Sequence, residues 1–213
     1  RSEIVKDVKS FWLFNGISCT TTREMIEALS QRKDIAVIDL DRVVMLPDDE
    51  KATEVTEAIR GLAWHVSQVH ANDVWAYNGA SGYDGTGVVV AIIDTGVNYN
   101  HVDLSDHMWN GGDEYPNHGY DFFSKDNDPM DEYGHGTHCA GITAGDGTSG
   151  TQTGIAPNAT IMALKVFGGA GSEASTDDIL DAMSFAVEHG ADIVNLSLGS
   201  AGASGNVFYR QAF

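Results

Sequence analysis

Three scarcities bound this chain of 213 residues. It has two cysteines, Cys19 and Cys139, one in each part of the chain, which do not make a disulfide framework. No run of about 18 apolar residues occurs, so the sequence offers no membrane-spanning helix. Basic residues are few: 12 Lys and Arg stand against 31 Asp and Glu, a net charge of -19. Such a chain repels nucleic acid and anionic membrane surfaces, and favours calcium, cationic partners or a salty medium. The chain opens at Arg1 with no methionine, basic flank or apolar signal core, which reads as a removed targeting segment or a start inside a longer chain. No internal repeat or low-complexity tract is visible.

What is present is a globular composition, 42% apolar and 9% aromatic, enough for one good core with a small satellite. The charge is unevenly spread. Residues 1–60 hold nine basic and 12 acidic residues, net -3, and residues 61–213 hold three and 19, net -16, which marks a boundary near residue 60. Before it, "KSFWLFNGI" predicts a strand. "TTTREMIEALSQRKD" predicts a helix capped by Thr21 or Thr22, and "IAVIDL" and "RVVML" predict two further strands. These make a small α+β unit over residues 1–46 whose open sheet needs another strand or a partner surface. Residues 47–63, opened by Pro47 and an acidic run, read as an exposed, cleavable linker.

From residue 64 the pattern is α/β. A helix is expected at "QVHANDVWAYNG", then the turn "SGYDGTG" and the buried-strand run "VVVAIID". Helix and strand then recur, "HGTHCAGITAG" with "TIMALKVF" and "STDDILDAMSFAVEHG" with "ADIVNLSLG". The last helix has Ser175 or Thr176 as its cap and Gly190 as its stop. Alternation of this kind predicts a doubly wound parallel sheet with functional groups at the strands' carboxyl ends.

Two features carry chemistry. Asp94 ends "VVVAIID", where a carboxylate is costly to bury unless it accepts hydrogen bonds; it either caps the next turn or orients a partner. In "DEYGHGTHCAGITAG", residues 131–145, His135 and His138 admit three readings: a metal pair, a structural pair, or a general base held by a carboxylate. The metal reading lacks a third ligand and an "HExxH" glutamate.

"VVVAIIDTGVNYNHVDL", "HGTHCAGITAG", "GIAPNATIMALKVFGGAGS" and "ADIVNLSLGS", in this order, resemble the motifs of the subtilisin-like serine proteases, the subtilases, over residues 64 to about 200. The resemblance implies a serine endopeptidase with Asp94 as orienting acid and His135 as general base, His138 being structural and Cys139 a variant some members share. It implies that "GAGS" (Gly169, Gly171, Ser172) and "SLG" (Ser197, Leu198, Gly199) hold an extended peptide as an added strand. It also implies a structural calcium near Asp103 and the loop 146–152, with Thr148 where relatives often place an asparagine ligand, and no cofactor for catalysis. "NGISCTTTREMIEALSQRKDIAVIDLDRVV" resembles the later part of a subtilase propeptide, a tethered inhibitor in that family.

The resulting expectation is a zymogen fragment: residues 1–46 as propeptide, 47–63 as processing junction and 64–213 as the first half of an incomplete subtilisin-like domain. A "GTSMA"-like nucleophile turn and an oxyanion asparagine are not found. Ser204 in "GASGN" and Asn206 lie too early for these roles, so the fragment is expected to be inactive. Peptide or protein substrate and the chain's own propeptide are the expected partners, with no nucleic acid and no membrane. Secretion is the family's habit, and the "NAT" sequon at Asn158 is compatible with it. The rival readings are a catalytically dead peptide-binding module and a metal-dependent hydrolase using His135, His138 and carboxylates.

Overall fold

The computed structural model describes residues 5–41, 43–46, 61–77 and 82–199. In chain order, β1 (Val5–Phe11), a 3-10 turn (Trp12–Phe14), β2 (Gly16–Thr21), α1 (Arg23–Ser30) and β3 (Val43–Met45) come first. Then follow β4 (Gly61–Leu62), α2 (Trp64–Gln68), α3 (Ala71–Trp75), β5 (Val89–Asp94) and β6 (Gly119–Asp121). The remainder is α4 (His135–Ala144), β7 (Thr151–Gln152), β8 (Thr160–Lys165), β9 (Glu173–Ser175), α5 (Thr176–Glu188) and β10 (Ile193–Asn195).

The central sheet is parallel, in the order β10-β5-β8-β6. The "VVVAIID" run forms its middle because it can be buried on both faces. Val90 and Ile92 pack with Ala140 and Ala144 of α4 and with Ile161 and Ala163 of β8. Ala91 and Ile93 pack with Met162 and Leu164 and with Ile179, Leu180 and Met183 of α5. The period-2 alternation of the strands therefore puts one helix on each face. Each fully buried isoleucine contributes about 2 kcal/mol. The chain winds from β5 to β8 and then returns past β5 to β10, so the winding reverses beside β5, and Asp94 stands at that strand's carboxyl end. Ser175 caps α5 by accepting from Asp178 N (3.0 Å), Asp177 and Asp178 occupy its first turn, and Gly190 follows its end with φ of 81°.

Before the sheet, local structure departs from the expected pattern. "KSFWLFNGI" is not one strand: Asn15 takes a left-handed conformation (φ 55°), so β1 and β2 close into an antiparallel hairpin around the 3-10 turn. Thr22, not Thr21, caps α1, accepting from Met25 N. "IAVIDL" is extended but unladdered, with Val37, Ile38 and Leu40 exposed, because no strand among the described residues pairs with it. "RVVML" shrinks to β3, whose partner is β9, far along the chain. Of the expected helix at residues 68–79, the described residues to 77 hold α3, preceded by α2, which ends at Gln68, with the break at His70 (φ 59°). Residues 47–60 of the expected linker lie outside the described residues; Gly61 and Leu62, also assigned to it, pair instead as β4 with β7. The strand β6 has no apolar run that a sequence pattern could reveal.

Candidate active site

The carboxyl end of β5 and the first residue of α4 meet. Asp94 is fully buried; its Oδ1 accepts from Thr95 N (2.7 Å) and lies 2.6 Å from His135 Nδ1. Burial pushes the Asp94 carboxyl above the usual carboxylate range, and the hydrogen bonds from His135 and Thr95 pull the other way. Its second oxygen, Oδ2, is buried with no hydrogen-bond partner among the described residues. His135, with a side chain only 9% exposed, opens α4. An imidazole whose Nδ1–H points at a carboxylate keeps Nε2 as its basic nitrogen.

Two glycines permit this approach. A Cβ on Gly136 would come within 2.1 Å of Gly96 O and 3.0 Å of Asp94 Cβ. One on Gly96, whose φ is 96°, would meet Pro129 O at 2.3 Å. Any side chain at either position would push the helix start away from the strand.

His138 does not join the pair. It is exposed and, with Thr137, Gly141 and Ile142, lines a cavity of about 1070 Å³ that also includes Trp64, His65 and Tyr133. The metal reading of His135 with His138 therefore has no geometric basis among the described residues. The ligand atoms that do converge, all within 4.8 Å, belong to Asp94, His135 and Cys139.

The two edge segments flank a strand of the chain itself. β3 pairs antiparallel with β9, Val43 opposite Ser175, Val44 opposite Ala174 and Met45 opposite Glu173. On its other side Met45 N donates to Gly199 O (3.2 Å) and Gly199 N donates to Met45 O (3.3 Å). Gly169 and Ser172 form a tight turn just before β9, with Ser172 Oγ donating to Gly169 O (2.7 Å), and Gly171 lies within it. Ser197 accepts from Asn195 Nδ2, and Leu198 packs on the core. Of the expected peptide-holding residues, only Gly199 makes a ladder contact; the others border it.

Asp103 and the loop 146–152 are adjacent, but their oxygens are engaged. Asp103 Oδ1 accepts from Ser149 N (2.5 Å) and Oδ2 from Ser149 Oγ (2.6 Å). Thr148 bonds Asp146 instead, and the carbonyls of Gly150 and Gln152 accept from Gly61 N and Ala63 N. This arrangement does not fit a calcium cage, which needs several convergent free oxygens.

Sequence reasoning passed over Asp131, Thr95 and Thr137, which bond one another and the start of α4. A signal for them existed: Gly134 precedes the helix and has no side chain to cap it, so an acceptor must come from elsewhere.

Fold and site together define an α/β protein with a buried carboxylate–imidazole pair at the carboxyl end of a central parallel strand. A model of the subtilase family (peptidase S8) matches residues 85–212, and the chain belongs to that family. The minor extracellular protease Vpr of Bacillus subtilis (strain 168) is 36% identical over 202 residues, covering 89% of this chain and 23% of Vpr. Bacillopeptidase F of the same organism is 33% identical over 229 residues, covering 95% of this chain and 15% of that protein. The chain thus spans less than a quarter of either relative. The crystal structure of a cold-adapted subtilisin-like serine proteinase aligns at 31% identity with a TM-score of 0.47, covering 57% of this chain and 40% of that one.

Proposed function

We propose that the chain is part of a subtilisin-type serine endopeptidase in which Asp94 and His135 are the acid and base of the catalytic triad. The observation that carries this reading is the 2.6 Å contact between His135 Nδ1 and the buried Asp94 Oδ1. In the proposed reaction His135 Nε2 takes the proton of a serine hydroxyl as its oxygen attacks the peptide carbonyl. Asp94 holds the Nδ1–H tautomer and stabilises the imidazolium, which then protonates the leaving amine. Neither the serine nor the oxyanion donor is assigned; Ser204 and Asn206 lie outside the described residues. No "GTSMA"-like turn occurs in the 213 residues, so in this reading the chain alone does not turn over peptides and stays uncut within residues 47–63.

Residues 1–46 act in this proposal as a tethered inhibitor joined through the junction 47–63 to the catalytic part, residues 64–213. The support is β3, which lies as a strand between β9 and Gly199, along the edge where an extended substrate would pair. The same strand favours a second reading, a module that captures peptides without cutting them. Secretion is proposed from the likeness to Vpr, an extracellular protease. Calcium is left out of the proposal, since the Asp103 oxygens are taken by Ser149.

Incubating the purified chain with a fluorogenic peptide and following its own mass tests the first reading. No turnover and an intact mass are expected. Turnover that survives His135→Ala overturns the assignment. Sequencing the natural gene product beyond Phe213 separates the two readings: a downstream serine motif supports the peptidase, and its absence supports the capture module.

A further inference from the structure

The N-terminal turn of α4 must be held in register with β5 for His135 to reach Asp94, yet the helix begins on a glycine. Gly134, its N-cap, offers no side-chain acceptor, and the first intrahelical bond is His138 N to Gly134 O. The amides of Gly136 and Thr137 therefore need partners from outside the helix. They find them in Thr95, the residue after Asp94, and in Asp131. Gly136 N donates to Thr95 Oγ1 (2.9 Å), and Thr95 Oγ1 donates to Asp131 Oδ1 (2.9 Å). Thr137 N and Thr137 Oγ1 both donate to Asp131 Oδ2 (2.9 and 2.6 Å). Tyr133 N and Gly134 N complete the shell on Asp131 Oδ1 (2.9 and 2.8 Å).

One carboxylate thus gathers donors from both sides of His135 and from the residue beside Asp94. The segment bearing it is itself fixed to the sheet: Lys165 Nζ, at the end of β8, donates to Met130 O (2.8 Å), and Val97 N donates to Pro129 O (3.0 Å). We propose that Asp131, acting through Thr95, is a positioning residue that sets the His135–Asp94 hydrogen bond. It touches neither reacting group and works by fixing where the helix starts. The proposal rests on the reading of His135 and Asp94 as a functional pair.

The test is proton NMR of the whole chain with isotopically labelled histidine, reading the strongly deshielded Nδ1–H of an imidazole bonded to a buried carboxylate. The wild-type chain and Thr95→Ser, which keeps the hydroxyl, are expected to show that signal. Thr95→Val and Asp131→Ala are expected to lose it while circular dichroism shows the fold retained. If Asp131→Ala does not fold, the comparison of Thr95→Val with Thr95→Ser decides. A folded Thr95→Val or Asp131→Ala chain that keeps the full signal overturns the role of Asp131. Absence of the signal from the wild-type chain overturns the Asp94–His135 pairing itself, and the positioning role with it.

Discussion

Asp94 is held where a carboxylate is least comfortable, fully buried and with one oxygen unpartnered among the described residues. A raised folded-state pKa means that the folded chain prefers the protonated acid. The stability this gives is complete below the unfolded value of about 3.9 and is lost as pH rises through the higher folded value. At neutral pH the ionised group is therefore a liability that function retains. Asp94→Asn keeps an oxygen for Thr95 N and His135 Nδ1 and removes the buried charge. It is expected to raise Tm at pH 7, with the gain shrinking as pH falls toward 4, as thermal unfolding across that range will show. In the peptidase proposed above the same change should lower kcat by about 10⁴, because the amide no longer holds the Nδ1–H tautomer of His135. The sequence places Asp94 at the end of an apolar strand run, but its residues alone leave Asp94 open to a turn-cap role and His135 to three readings; the acid and base roles come from the subtilase resemblance. Asp131 was not legible, because its role is defined by hydrogen bonds that only the meeting of α4 with β5 creates.

Elements with a clear period were also legible. β5, β8 and α5 stand where runs of apolar residues, and for α5 its Ser175 cap, put them, since burial on a sheet face constrains every second or fourth side chain. Less legible are the extent and pairing of elements that depend on a distant partner. β3 pairs with β9, far along the chain, and "IAVIDL" has no strand partner among the described residues. The loop 146–152 shows the same dependence on a neighbour. In it Ser149 supplies two donors to Asp103, a pairing that composition could not assign. Removing the hydroxyl leaves a buried carboxylate oxygen short of a partner, at a cost of about 2 kcal/mol. Ser149→Ala is therefore expected to lower Tm by about 4 to 8 °C, whereas a chelator such as EGTA is expected to leave the wild-type Tm unchanged. A clear fall with EGTA, reversed by calcium, would show that an ion displaces the Ser149 bonds.

At the scale of the molecule, the described residues before 47 (5–41 and 43–46) dock on α5 through both charge and apolar burial. Lys9 pairs with Asp181, Ser18 bonds Asp177, Trp12 Nε1 donates to Glu188 (2.7 Å) and Asp41 accepts from Thr176 N (3.0 Å). Ion pairs this exposed are screened by salt and contribute little singly, so the apolar contacts carry most of the attachment. Phe11 and Val44 supply them: each is 4% exposed within the cluster that contains Ile179, Leu180 and Met183. Val43 and Met45, on the other face of β3, are about half exposed. The strand is thus held by backbone pairing on both edges and by one inward side chain. Val44→Ala removes two methyl groups from that contact, worth about 2 kcal/mol, and is expected to expose β3 and residues 5–41 to limited proteolysis at enzyme concentrations that leave the parent chain intact. Val43→Ala, on the solvent face, is expected to change the cleavage rate little. Equal sensitivity of the two variants, read by mass spectrometry of the fragments, would show that Val44 does not anchor the strand and that the backbone ladder alone holds it.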